Sequence, residues 1–165
     1  MLAFVRVFKS IVASLAVVLM AASSATSQTA PTTDFFSLRA TPLNDAPDFS
    51  ELKGEITLLI LFQPNCAWCP IQFKHAEDLK RNRANWLQIA AVSRGGSIQQ
   101  LLHELDRYQT PFPGYKSSPE LLRALEYTPG TPCIYLIGKD GHLGQYTCGR
   151  KTEDELVRFL MGKPK

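Results

Sequence analysis

The sequence predicts an α/β domain: a central mixed sheet flanked by helices and completed by a C-terminal β-hairpin and helix. Three observations carry that expectation. Residues 56–62 (ITLLILF) are apolar or β-branched throughout, the pattern of a strand buried on both faces. Helix-like and strand-like stretches alternate after it, which implies parallel strands joined by crossover helices. Asp140-Gly141 then separates two short runs, the strongest hairpin signal in the chain.

Phe35 to Ala40 reads as a weak ordered segment, followed by a polar loop through Asn44, Asp45 and Pro47 and then the central strand Ile56 to Phe62. After Cys66-Ala67-Trp68-Cys69-Pro70, Ile71, Phe73, His75, Ala76 and Leu79 mix with polar residues as a helix does, and Pro70 is tolerated in its first turn. Trp86 to Val92 is the next strand, closed by Gly95-Gly96. Ile98, Leu101, Leu102 and Leu105 then recur at helical spacing up to Tyr108. Pro111, Pro113 and Pro119 mark a loop, with a short helix around Glu120 to Glu126. Cys133 to Ile137 and Leu143 to Cys148 form the hairpin. Thr152 with Glu155 three residues on opens the last helix as a capping box, running to Met161.

The chain has 165 residues, 45% of them hydrophobic and 20% charged, which fits one globular domain. Its formal charge of +3 includes Arg6 and Lys9, and a nucleic-acid surface is not expected from so small an excess. Those two cations precede an apolar run of about a dozen residues and then small residues, the layout of a secretory signal. A cleaved signal is expected over 1–25, a flexible polar segment over 26–34, and the folded domain over 35–165. The competing reading, a membrane anchor, meets a run short of the roughly 20 apolar residues that span hydrocarbon. Export to the periplasm would place four cysteines in an oxidising compartment, where all can pair.

Cys66 and Cys69 follow a buried strand and open a helix. At a helix N-terminus, backbone N–H groups and the positive end of the dipole stabilise a thiolate, which is the nucleophilic form. The spacing lets Cys69 reach back to Cys66, so Cys66 is the expected attacking group and Cys69 the resolving one. Haem attachment would require His where Pro70 stands. Zinc binding would require a second ligand pair, and Cys133 and Cys148 lack knuckle spacing, although folding could bring ligands together. No metal or other cofactor is expected. A static disulfide at 66–69 would have no need of a strand-to-helix junction.

The order strand, C-x-x-C, helix, strand, helix, Thr131-Pro132, hairpin, Gly149, helix resembles the thioredoxin superfamily. The segment Asp48 to Gly54 (DFSELKG) before the central strand is similar to the TlpA-like periplasmic branch. The resemblance runs from about Phe35 to Met161 and implies a thioredoxin-like fold, with Pro132 a cis proline facing the active pair. It also implies that Thr131 presents backbone groups to a bound substrate strand, with Trp68 shaping substrate contact. It further implies client proteins bearing disulfides, an inner-membrane thiol electron donor or acceptor, and a monomer. The sequence departs from the superfamily pattern at two places. Asn65 stands where many members have Trp, and Ile60 where many have a buried acid serving as proton acceptor. His75, Glu77 and Glu55 are the ionisable candidates left, though each also reads as an ordinary solvated residue.

If Asp140-Gly141 is a two-residue loop, Cys133 lies directly opposite Cys148. Opposed Cα atoms of an antiparallel pair lie about 4.5–5.5 Å apart, within disulfide range. A bridge across the hairpin is therefore expected, either as a structural staple or in a redox role beside Pro132. The expected function is a periplasmic disulfide reductase. An oxidase or isomerase, a Cu(I)-binding module and a partner-binding assembly factor are the alternatives.

Overall fold

The computed structural model describes residues 33–125 and 128–162. The expected signal and most of the expected flexible segment lie outside them. Six strands form one sheet: β1 (Ala40–Leu43), β2 (Thr57–Phe62), β3 (Gln88–Ser93), β4 (Gly114–Ser117), β5 (Cys133–Ile137) and β6 (Leu143–Cys148). Their order across the sheet is β1-β4-β3-β2-β5-β6. β2, β3 and β4 run parallel, whereas β1 is antiparallel to β4, β5 to β2, and β6 to β5.

All six residues of β2 are buried, as a central strand with layers on both faces requires. Leu58, Ile60 and Phe62 face the layer holding α1 (Cys69–Asn82), α2 (Ile98–Arg107) and α4 (Glu153–Leu160). Leu59 and Leu61 face the other layer, where α3 (Pro119–Ala124) packs with two 3-10 turns, Phe35–Ser37 and Phe49–Leu52. Each side of the strand therefore belongs to a different core. No described helix is long and apolar enough to cross a membrane.

Two local features differ from expectation. Gly114–Ser117, read as part of a proline-rich loop, is a strand paired with β1 on one side and β3 on the other. The hairpin connection is also longer than a two-residue loop. Gly138 N–H donates to His142 O and Gly141 N–H to Gly138 O, each at 2.9 Å, with Gly141 at φ 86°. That is a three-residue loop closed by a left-handed glycine. A register shift between Leu136 and Ile137 leaves Gly144 as an extra residue and restores the expected pairing, so Cys133 does face Cys148.

Candidate functional site

Cys66 and Cys69 sit where β2 hands over to α1. Cys69 is the first residue of α1 and Pro70 follows in the first turn, where its missing N–H costs nothing. Trp68 is the N-cap and no side chain caps that turn, so the dipole's positive end is directed toward the cysteine segment. The two cysteines form a disulfide, S–S 2.02 Å with Cα atoms 5.4 Å apart. Cys66 is only 6% exposed and Cys69 fully buried, in an apolar cluster with Ile60, Phe62, Phe73 and Ala76.

The Thr131–Pro132 peptide is cis. Cys133 pairs with Leu61 in the sheet, which places Pro132 at the level of Phe62, at the end of β2 from which the cysteine segment departs. Gly149 N–H donates to Pro132 O at 2.9 Å, tying the segment after β6 to the same end. Two side chains of α1 hold that segment. Gln72 Oε1 accepts from Lys151 N–H at 2.6 Å, and His75 Nδ1 lies 2.8 Å from Lys151 O. A carbonyl can only accept, so Nδ1 carries the proton in this contact. Trp68 is 54% exposed, and the Arg150 guanidinium lies 5.1 Å from its ring centroid, within cation–π range.

Of the ionisable candidates read from sequence, one is engaged beside the site and two are placed away from it. His75 is engaged with Lys151, Glu77 pairs with Arg81 on the outer face of α1, and exposed Glu55 precedes β2 at the end opposite Cys66. Ile60 is buried within the cluster around the cysteines, so β2 brings no acid there.

A group that sequence reasoning missed lies beside the site. Glu104 on α2 is 5% exposed, and its Oε1 accepts from Asn65 N–H at 3.3 Å, one residue before Cys66. Its Oε2 is ion-paired with Arg107. Burial alone would raise its pKa, but hydrogen bonds from Tyr108, Arg107 and Asn65, with the Arg107 charge, outweigh burial and hold it below the ordinary carboxylate value. Burial and the same carboxylate push the Tyr108 phenol up to about 12. Asn65 itself has φ 60°, a left-handed conformation that Asn tolerates.

Cys133 and Cys148 are bridged across the hairpin, with Cα atoms 4.0 Å apart. Their side chains belong to the layer opposite the one holding Cys66 and Cys69. The sheet therefore separates the two disulfides. Among the described residues, no group of three His, Cys, Asp or Glu side chains is placed to hold a metal ion.

No protein-family model and no curated protein sequence matches the chain. Solved structures do. A secreted disulfide oxidoreductase of Mycobacterium tuberculosis, homologous to Escherichia coli DsbE, superposes with a TM-score of 0.63 at 16% identity, covering 78% of this chain and 97% of that one. A putative thiol:disulfide interchange protein DsbE from Chlorobium tepidum gives 0.64 at 18% identity, covering 80% and 96%. The chain has a thioredoxin-like fold. StoA from Bacillus subtilis also aligns, at a TM-score of 0.53 and 17% identity, over 66% of this chain and 84% of that one. The mixed six-stranded sheet with flanking helices is what these structures share with this chain, in line with the thioredoxin superfamily resemblance read from the sequence.

Proposed function

We propose that the protein is an exported, periplasmic thiol-disulfide oxidoreductase that reduces disulfides of client proteins through Cys66 and Cys69. The observation that carries the reading is the Cys66–Cys69 pair at the β2–α1 junction, at the sheet end where the cis Thr131–Pro132 peptide lies. Export is supported by the signal-like composition of residues 1–25.

In the reduced protein, Cys66 as thiolate attacks one sulfur of a client disulfide and forms a mixed disulfide, releasing the other client sulfur as thiolate. Cys69 loses its proton, attacks Cys66 Sγ and releases the second client thiolate. Two electrons have then passed to the client, which ends as a dithiol once its sulfurs are protonated by the Cys69 proton and solvent. The protein ends as the Cys66–Cys69 disulfide, recycled by a thiol donor at the inner membrane. Thr131 and Pro132 present an edge for the client strand, and exposed Trp68 contacts it beside the reacting sulfur. The second bridge, Cys133–Cys148, is a staple of the hairpin.

Cys69→Ser should accumulate a mixed disulfide with a disulfide-bearing client, and Cys66→Ser should accumulate none; equal trapping by both would overturn the assigned roles. The reduction potential of the pair, from thiol trapping in dithiothreitol buffers, is expected near that of thioredoxin, about −270 mV. A value near −120 mV would replace the reductase by an oxidase. Recovery from a periplasmic fraction of a chain shortened by about the length of residues 1–25 tests the export reading.

A further inference from the structure

The segments that surround the Cys66–Cys69 pair differ sharply in charge from the rest of the molecule. Residues 63–72, 94–98, 128–133 and 148–151 contain Arg94, Arg150 and Lys151 and no acidic residue. Arg94 follows β3, and its N–H donates to Phe62 O at 2.7 Å, fixing it at the sheet end from which the cysteine segment leaves. Arg150 lies over the Trp68 ring. Lys151 is anchored by its backbone to Gln72 and His75, and its Nζ donates to the Cys148 carbonyl, a neutral partner, at 2.7 Å.

None of these three cations has a carboxylate partner among the described residues. The nearby acids are committed elsewhere. Glu104 is buried and paired with Arg107, Glu153 and Asp154 pair with Arg83, and Glu155 closes the capping box with Thr152. Other described cations, Lys80 of α1 and Lys139 among them, also have no ion-pair partner, so what marks this end of the sheet is that the four segments hold three cations and no acid. Three cations around one reactive pair, with no acid in the same segments, form a field that attracts anions to it.

We propose that this cationic rim makes the protein selective for clients whose disulfide is flanked by acidic residues. The proposal rests on the reductase reading and names the class of partner for the same site. Charge of this kind acts mainly on encounter rate and on discrimination between partners, and is screened by salt.

The test uses the full chain reduced by dithiothreitol and freed of it. Single-turnover rates are measured with three synthetic peptides that share one intramolecular disulfide and differ only in flanks of Asp and Glu, of Gln, or of Lys. The acidic peptide is expected to react about tenfold faster than the neutral one at low salt, the basic one slower, and the differences to shrink as salt is raised. In an Arg94→Gln/Arg150→Gln variant, the acidic-to-neutral ratio should fall toward one. Equal rates for the three peptides, or a faster basic one, would overturn the proposal while leaving the reductase reading in place. Failure to reduce any peptide would instead remove the reductase reading on which it rests. A ratio unchanged in the double variant would show that these arginines do not set the preference, and would overturn the assignment of the rim.

Discussion

Glu104 holds together the turn from which the active pair departs. Its carboxylate accepts from Asn65 N–H while paired with Arg107. Glu104→Ala would leave a donor next to Cys66 without its acceptor, an expected loss of about 1–3 kcal/mol in urea unfolding at pH 7. Glu104→Gln keeps an acceptor for Asn65 but loses the charge. Because the folded pKa of Glu104 is lowered from 4.5, the stability its ionised form contributes is fully present above 4.5 and lost as pH falls through the folded value. The gap between wild type and Glu104→Gln should therefore narrow between pH 7 and about pH 3.5. Asp34, Asp48 and Glu120 are lowered as well, but they are common to both proteins and cancel in the difference. A gap constant over that range would remove the charge of Glu104 from the account. The residue was legible only in part. Leu101, Glu104, Leu105 and Tyr108 form one helical stripe, and Glu104 and Leu105 are buried while Ile98 and Leu102 are exposed. Apolar spacing alone takes in exposed Ile98 and Leu102 beside buried Leu101 and Leu105, and passes over the acid that completes the buried stripe.

At the scale of elements, the chain announced those that carry their own signal and concealed those that depend on partners. The β2 run, the Thr152 capping box and the C-x-x-C at the start of α1 were legible because burial, capping and spacing are written locally. β4 was not, because four residues, GYKS, between prolines become a strand only when β1 and β3 offer hydrogen-bond partners on either side. The hairpin lies between these cases: its loop is one residue longer than the Asp140-Gly141 signal implies, and the irregularity at Gly144 compensates, so Cys133 still faces Cys148. That pairing closes a sequence separation of 15 residues, and a loop of this size is worth about 3 kcal/mol by chain entropy. Cys133→Ser/Cys148→Ser is therefore expected to lower stability by about that amount. Because the sheet lies between the two disulfides, the potential of Cys66–Cys69 should stay within the error of thiol trapping. A shifted potential at unchanged stability would instead assign the hairpin bridge to the redox mechanism.

For the molecule as a whole, redox state and folding stability are one linked quantity. Oxidised and reduced chains, folded and unfolded, form a closed cycle, so whatever the fold does to the potential of the pair it also does to relative stability. Two features of the fold oppose each other here. The N-terminus of α1 favours a thiolate at Cys66, whereas burial of both sulfurs in an apolar cluster disfavours a charged or poorly partnered thiol and favours the neutral disulfide. With β2 contributing Ile60 and no acid to that cluster, burial is expected to dominate. The oxidised protein should then unfold at a higher temperature than one in which only Cys66 and Cys69 are reduced, the state of each pair being verified by mass after thiol trapping. Each 30 mV by which the fold lowers the potential corresponds to about 1.4 kcal/mol in favour of the oxidised form, or roughly 5 °C for a domain of this size. The reverse order, with the reduced form the more stable, is the behaviour of a strong oxidant. It would mean that the helix terminus prevails over burial and that electrons flow from client to protein.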